Sequence, residues 1–256
     1  MNYNFHTHTQ RCRHASGSNE DYINAAIEAG ITHLGFSDHI PFIFPDGYDS
    51  GYRIPMDEAE SYVCELSSLR KKYQNKIEIS IGYEMEYYSE HFIEMLKIAR
   101  NSGAEYLILG HHFILGEHPS GIGAGGPTDS AELLHTYVDE VIEAMKTGVF
   151  SYVAHPDFTC FTGDDNIYEK EIMRLALASK ELDIPLEINL LGVRYGKFYP
   201  ADKFWRVVGM IGSPVTVGYD AHNATDLLNK DQLRTAEEII RRHGLNYVGA
   251  PRLRKI

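Results

Sequence analysis

Short apolar or β-branched segments alternate with longer amphipathic segments along the whole chain. The short segments have the length and composition of strands buried on both faces, and the longer ones have the periodicity of surface helices. The predicted strands are Tyr3–Phe5, His33–Phe36, Ile77–Gly82, Tyr106–Gly110, Tyr152–Ala154, Pro185–Ile188 and Val215–Val217, with Tyr247–Gly249 as an eighth candidate. The predicted helices are Asn19–Ala29, Asp57–Tyr73, Ser89–Ser102, Ser130–Lys146, Asn166–Leu182, Ala201–Ile211 and Ala224–His243. This alternation predicts a single α/β domain over residues 1–256.

Polar residues with metal-binding side chains or amides fall at or just past the ends of these strands. They are His6 and His8, His39, Glu84, His111 and His112, His155, Asn189, and Asp220 with His222. A closed parallel barrel brings all strand ends to one face, whereas a doubly wound sheet builds its site at one switch point. The sequence therefore predicts a distorted, TIM-like (β/α)7 barrel with its site at the carboxyl ends of the strands.

Histidine is the most informative residue type in the composition, with 13 copies in 256 residues. His6-Thr7-His8 places two imidazoles on the same side of an extended segment, and Asp220-Ala221-His222 places a carboxylate and an imidazole in the same way. Nitrogen and oxygen ligands without a thiolate suit Zn, Mn or Fe. Because the candidates exceed the four ligands of a structural zinc, we expect two or three divalent ions.

Charge and cysteine content narrow the classes of partner and the cellular location. The formal net charge is −12, which disfavours nucleic acid and anionic lipid as partners. Cys12, Cys64 and Cys160 form no CxxC pair, and no apolar run approaches the length of a membrane-spanning helix. The N-terminus shows no signal-peptide pattern. We therefore expect a cytoplasmic protein with a small-molecule substrate, and the sequence leaves the oligomeric state open.

Several motifs resemble those of one known family. His6-Thr7-His8-Thr9, followed by Cys12 and His14, resembles the opening motif of the polymerase and histidinol phosphatase (PHP) family, and Gly35–His39 resembles its second motif. Stretches similar to its histidinol-phosphatase branch extend the resemblance over nearly the whole chain: Gly82-Tyr83-Glu84, Ala154-His155-Pro156-Asp157, Glu187-Ile188-Asn189, Gly192-Val193-Arg194 and Asp220-Ala221-His222. The resemblance implies a trinuclear site that hydrolyses L-histidinol phosphate to L-histidinol and phosphate, a step of histidine biosynthesis, through a hydroxide that bridges two metals.

The resemblance also implies a set of metal ligands. These are His6, His8, His14, His39, Glu84, His112, His155, Asp220 and His222. The branch usually has Gly-Ser-Val-His where this chain has Gly110-His111-His112, one residue shorter, so His111 remains an alternative to His112. Tyr219 replaces a usual serine, and we expect its bulk to lie near the metals.

Four further side chains are candidates for contacts with the substrate. Arg194 is expected to clamp the phosphoryl group, because a guanidinium grips two oxygens at once. Glu117 or Tyr195 are expected to accept the ammonium and imidazole of the substrate, and His111 is a further substrate-side candidate.

Proton donation to the leaving group falls to Asp38, His111 or Asp157, and the sequence does not choose among them. Asp38 and Asp157 are alternatively groups that orient metal ligands. Cys12 is expected to pack rather than to bind metal, and Ile122–Gly126 is expected to form a flexible loop on the substrate side.

Two other functions compete with this interpretation. The first is a PHP-type phosphoesterase that acts on nucleotides, oligonucleotide ends or phosphotyrosine, although the acidic charge weakens the polynucleotide version. The second is a non-catalytic protein that binds or senses metals with the same ligands.

Overall fold

The structure, a computed structural model, describes residues 1–119 and 121–256. The strands are β1 (Tyr3–Asn4), β2 (His33–His39), β3 (Glu78–Met85), β4 (Tyr106–Leu109), β5 (Phe113–Ile114), β6 (Ile122–Gly123), β7 (Phe150–Val153), β8 (Leu186–Asn189), β9 (Pro214–Gly218) and β10 (Asn246–Tyr247). The helices are α1 (Asn19–Ala29), α2 (Ala59–Tyr73), α3 (Phe92–Ser102), α4 (Ala131–Lys146), α5 (Asp165–Leu182), α6 (Leu190–Arg194), α7 (Asp202–Ile211) and α8 (Lys230–His243). Three 3-10 turns lie at Gln10–Cys12, Met56–Glu58 and Ala224–Leu228.

Eight of the strands form one parallel sheet, in the order β1-β2-β3-β4-β7-β8-β9-β10. The chain segments that follow β1 and β9 meet in a parallel bridge between Thr7 and Ala221. There the His8 amide donates to Ala221 O at 3.0 Å, and the Ala221 amide donates to His6 O at 3.2 Å. This contact curls the sheet into a barrel at its carboxyl end, with β10 as a short addition beside the start of β9. The predicted α/β fold with a distorted, TIM-like barrel is confirmed.

Side-chain caps fix the starts of two of the predicted helices, α1 and α4. Ser18 accepts from the Asp21 amide while Asp21 caps Ser18 in return, so α1 begins where the capping box places it. Ser130 caps α4 in a similar way. The sequence did not predict the short helix α6, the 3-10 turn at Gln10–Cys12, or the hairpin that pairs Phe113–Ile114 with Ile122–Gly123. The expected flexible loop at Ile122–Gly126 is therefore partly a strand.

Aromatic rings fill the lower part of the barrel lumen. Tyr3, Phe5, Tyr106 and Tyr152 pack there in a small buried cluster, apart from the larger core between sheet and helices. A Cβ on Gly35 or Gly82 would overlap Tyr106, so glycine at those positions makes room for its ring. This layer closes the lumen below the polar strand ends.

Within residues 1–119 and 121–256, no helix is both long and apolar enough to cross a membrane.

Candidate metal centre

Glu84 lies at the centre of a ring of imidazoles. The parallel register places His39 beside Glu84 on neighbouring strands, and strand periodicity turns both into the lumen. The Glu84 carboxylate lies 2.9 Å from His155 Nε2 and 3.6 Å from His112 Nε2. His6 Nε2, His8 Nε2 and His39 Nδ1 lie 3.4–3.5 Å from its other oxygen. Five of the predicted ligands therefore surround one carboxylate.

Asp220 forms a second centre on the side of the lumen where the barrel closes. Its Oδ1 lies 3.2 Å from His8 Nε2, 3.3 Å from His222 Nδ1 and 3.5 Å from His6 Nε2. His14 completes this side, with its Nε2 2.9 Å from His222 Nε2. The nine predicted ligands thus form one continuous cluster that Glu84 and Asp220 share.

The donor atoms of this cluster fit divalent metal ions. Several triplets have ligand atoms within 4.8 Å of one another, among them His6, His155 and Asp220. Four buried atoms in the described part of the cluster make no hydrogen bond: His6 Nε2, His39 Nδ1, His155 Nδ1 and Asp220 Oδ1. Buried polar atoms without partners are costly unless something else satisfies them. Atoms of this type that face one another make a site for cations, in agreement with the predicted divalent metals.

Electrostatics within the cluster keep its carboxylates ionised. Burial would raise the pKa of Asp220, but His6, His222 and His8 outweigh it and hold this pKa well below its ordinary value. The pKa of Glu84 is lowered in the same way, by His6, His112 and His39. A charged carboxylate is the form that binds a metal, so the site is prepared for cations.

His6 is held by a carboxylate that the sequence analysis did not select as a site residue. Glu187, fully buried on β8, lies 3.0 Å from His6 Nδ1 and accepts from the His155 amide at 3.1 Å. Asn189 Nδ2 bridges Glu187 and Asp220 at 2.9 and 3.1 Å. A Cβ on Gly218 would overlap Glu187 Oε1, which explains glycine at that strand position. An acidic residue inside an otherwise apolar strand was the available signal.

Asp38 contacts the imidazole of another candidate ligand. Its Oδ1 lies 3.3 Å from His8 Nδ1 and accepts from the His39 amide at 2.8 Å. Its other oxygen accepts from the amide and the hydroxyl of Thr9. These contacts favour an orienting role for Asp38 over proton donation.

The adjacent histidines after β4 point in opposite directions. His112 lines the cavity, whereas His111 turns outward, with its Nε2 2.8 Å from Glu140 Oε2 and its ring against Tyr137. Since successive side chains of an extended segment alternate, only one of the two faces the cluster. The geometry favours His112 as the candidate ligand and places His111 away from the cavity, which favours neither a substrate contact nor proton donation by His111.

Arg194 is not placed as the expected phosphate clamp. Its guanidinium donates to Asp220 O at 2.9 Å and to Gln232 Oε1 at 3.1 Å, and its Nε lies 3.3 Å from Asp226. Among the described residues that line the cavity, Arg194 is absent. Because α6 ends at Arg194, the side chain reaches the outside of the Asp220 turn and supports it there.

Glu117 is likewise not free to bind a substrate ammonium. It is buried and accepts from Arg53 Nη2 at 2.6 Å and from the Tyr52 hydroxyl at 2.8 Å. Its carboxylate is paired with Arg53 within the protein, and these contacts do not favour the expected role. Tyr195, the other acceptor considered, is largely exposed and stacks on Arg194.

Asp157 anchors a helix instead of facing the cavity. Its Oδ2 accepts from the Ala201 amide at 2.7 Å and from Trp205 Nε1 at 3.0 Å, at the start of α7. Burial raises its pKa to about 7. These partners occupy Oδ2 and hold the turn after His155 against α7, whereas Oδ1 is buried without a hydrogen-bond partner. Asp157 is not among the described residues that line the cavity.

Two other expectations near the cluster have different outcomes. Tyr219 packs its ring into the outer core, so its bulk lies away from the candidate ligands. Cys12 lies beside His8, His14 and His222, with ligand atoms within 4.8 Å of one another. Burial raises the pKa of the Cys12 thiol, which favours the neutral form and the expected packing role.

A cavity of about 420 Å³ opens above the cluster. Eight of the nine candidate ligands line it, all except His6, and the rest of its wall is formed by largely apolar residues: Gly51, Tyr52, Phe113, Phe158, Leu191 and Tyr199. Tyr52 packs edge-on against His39 at 4.9 Å between ring centroids, and Phe158 lies 5.3 Å from His155. The arrangement offers a charged floor and an aromatic wall.

Two candidate ligands adopt the left-handed backbone conformation, His155 with φ 32° and Asp220 with φ 47°. His155 lies two residues past the end of β7, and Asp220 lies two residues past the end of β9. The turns at these positions direct both side chains towards the cluster. Such values are uncommon for residues other than glycine and concentrate at functional sites.

The parallel barrel and the cluster of candidate ligands at its strand ends place the chain in the class of metal-binding α/β barrel proteins. The PHP domain family matches residues 4–190, and the chain belongs to this family. It is 26% identical over 227 residues to a probable histidinol-phosphatase of Deinococcus radiodurans, with 85% of each chain covered.

Solved structures show the same fold. The chain is similar to the histidinol phosphate phosphatase of Lactococcus lactis, solved with zinc, L-histidinol and phosphate, at a TM-score of 0.71 and 18% identity, covering 96% of this chain and 95% of the other. It is also similar to a putative histidinol phosphatase of Listeria monocytogenes, at a TM-score of 0.73 and 19% identity, covering 90% of this chain and 99% of the other.

Proposed function

We propose that the protein is a metal-dependent phosphatase that hydrolyses L-histidinol phosphate to L-histidinol and phosphate. The observation that carries the proposal is the cluster of nine candidate ligands at the floor of a cavity with an aromatic wall. Relatives named histidinol-phosphatase support the choice of substrate. The biological role would be a step of histidine biosynthesis.

The candidate ligands have distinct tasks in this proposal. Glu84 and Asp220 would be shared between neighbouring ions, and the seven imidazoles would complete two or three sites for Zn, Mn or Fe. When bound, divalent ions supply an activated nucleophile and neutralise charge on the phosphoryl oxygens. Glu187 and Asp38 would hold His6 and His8 in the required orientation through their Nδ1 atoms.

The aromatic wall would receive the leaving group. Tyr52, Phe113 and Phe158 offer flat apolar surfaces beside the ligands, and a planar imidazole fits such surfaces by stacking. Among the described residues of the cavity wall, the carboxylates are Glu84 and Asp220 alone. The ring, more than the ammonium, would therefore orient the substrate. Asp38, His111 and Asp157 are not among the described residues that line the cavity, so the leaving oxygen would take its proton from solvent in the open cavity.

A phosphoesterase for aryl phosphates such as phosphotyrosine is the second candidate, because the same wall would accept a benzene ring. The test compares kcat/KM for histidinol phosphate, an aryl phosphate and a mononucleotide under identical metal conditions. We expect histidinol phosphate to exceed the others by at least about tenfold, or roughly 1.4 kcal/mol of transition-state binding. If the aryl ester is turned over equally well, the assignment of histidinol phosphate as the substrate would fall, and only the class of metal-dependent phosphoesterase would remain.

Metal-dependent binding without turnover of any of these esters would instead favour a metal-sensing protein. We further propose a cytoplasmic location and neither nucleic-acid nor membrane partners, on the basis of the cysteine pattern and the net charge of −12.

A further inference from the structure

Two neighbouring histidines in this protein each pair with a glutamate, on opposite sides of the chain. His111 Nε2 lies 2.8 Å from Glu140 Oε2, on the outer face beside α4. His112 Nδ1 lies 2.9 Å from Glu86 Oε1, at the cavity. The chain therefore contains a matched pair of imidazole–carboxylate contacts, one inside the candidate metal centre and one outside it.

Both oxygens of Glu86 are held in place. One contacts His112, and the other accepts from Arg53 Nη2 at 2.7 Å. Glu86 and Arg53 are fully buried, and the guanidinium is fixed further by Glu117 and the carbonyl of Ile40. A carboxylate with two fixed partners has little freedom to turn towards an ion.

The contact with Glu86 determines which nitrogen of His112 is available. Donation of the Nδ1 proton to Glu86 leaves the lone pair on Nε2. That atom points into the cluster, 3.6 Å from Glu84 Oε1. A carboxylate behind a ligating imidazole fixes its tautomer and orientation and increases its basicity.

We propose that Glu86, held by Arg53, is a positioning residue that orients His112 for a divalent cation. The inference rests on the metal-binding part of the proposed function and is independent of the substrate. It goes beyond the nine candidate ligands, because Glu86 acts through His112 and not as a ligand itself.

The test compares zinc binding by the metal-free full chain, Glu86→Gln and Glu140→Gln, by titration against a chromophoric chelator. We expect zinc to bind 10–100-fold more weakly at the affected site of Glu86→Gln, with an unchanged number of ions at saturation. Glu140→Gln makes the same loss of charge behind His111, and its zinc affinity should equal that of the wild type.

Folding is retained in the test variant because Arg53 keeps its ion pair with Glu117. A circular dichroism melt of each metal-free variant checks this point.

Three results would overturn the inference. Wild-type zinc affinity in Glu86→Gln would show that Glu86 does not position His112, and complete loss of one bound ion at saturating zinc would make Glu86 a direct ligand. Equal weakening in Glu140→Gln would mark the effect as non-specific. A wild-type chain that binds no zinc would instead contradict the proposed function.

Discussion

The lumen of the barrel has two layers that are built from the same strands and behave differently. In the lower layer, the Tyr106 hydroxyl donates to Phe5 O at 3.0 Å and Phe36 O at 3.1 Å, so a buried polar group is satisfied by the protein. In the upper layer, His6 Nε2 and Asp220 Oδ1 are buried without hydrogen-bond partners. The lower layer is complete by itself, whereas the upper layer needs cations.

This contrast separates residues that stabilise the fold from residues that prepare the site. Substitutions in the lower layer should change the free energy of unfolding, and substitutions in the upper layer should change metal binding and turnover. The layers lie about one strand pleat apart, for example at Gly82 and Glu84 on β3, so the comparison can be tested residue by residue.

Removal of metal should give the largest effect. Exhaustive chelation should abolish phosphatase activity, and Zn, Mn or Co should restore it, because the cluster lacks its counter-charges without them. The melting temperature should also fall, since ligand at 100 times its Kd adds about 2.7 kcal/mol of stability. Phosphate release and calorimetry measure the two effects, and full turnover by the metal-free protein would contradict the mechanism.

Asp220→Asn should give the next largest effect, confined to the upper layer. Loss of one shared carboxylate should reduce kcat/KM on the order of 10²–10³, the scale of one preorganised electrostatic group. The amide retains the size of the side chain, so circular dichroism should show a folded protein. Retained activity at saturating metal would remove Asp220 from the candidate ligands.

Tyr106→Ala should show the opposite pattern. The cavity left by the ring in the lower layer should cost about 3–5 kcal/mol of unfolding free energy. Urea denaturation in the presence of metal measures it. The number of ions bound per folded molecule should stay at the wild-type value, and loss of metal by the folded variant would show that the layers are not separable.

Arg194→Met tests the boundary between the layers, because this side chain supports the Asp220 turn from outside. Loss of its hydrogen bonds to Asp220 O and Gln232 should reduce stability by about 1–3 kcal/mol. kcat/KM should fall less than in Asp220→Asn. A loss of about 2–4 kcal/mol of transition-state stabilisation with an unchanged free energy of unfolding would support the predicted role of Arg194 as the phosphate clamp.

His111→Gln should have the smallest effect. Its imidazole contacts Glu140 outside the cluster, so we expect kcat/KM within about threefold of the wild type and a stability change near 1 kcal/mol. Steady-state kinetics decide this, and a large loss of bound metal would make His111 a ligand after all.

Strand periodicity and family motifs predicted most of the fold and the assembly of the cluster. Eight of the nine candidate ligands lie at or just past strand ends, and a parallel barrel brings strand ends together whatever the details of packing. His14 instead follows the 3-10 turn at Gln10–Cys12. Helix α1 begins at its predicted residue because its capping box is local in sequence. Features of this kind depend on neighbours along the chain.

The missed features depend on partners that are distant in sequence. Arg194 matches its motif, but Asp226 and Gln232, over 30 residues away, decide where its guanidinium lies. Glu117 is neutralised by Arg53 on another loop. Glu86 is an exception: its place beside the cluster could have been predicted from the sequence, because a side chain two residues after Glu84 continues on the same strand face.

His14 and His222 are in contact although they lie 208 positions apart in the chain, so the ribosome adds them at well-separated times. At 5–20 residues per second, a ribosome needs roughly 10–40 s to add the second after the first. During this interval the early histidines have neither Asp220 nor His222 beside them. Metal loading of the complete centre must therefore follow translation of nearly the whole barrel, and a chain interrupted before residue 220 would carry the ligands around Glu84 without the Asp220 side of the centre.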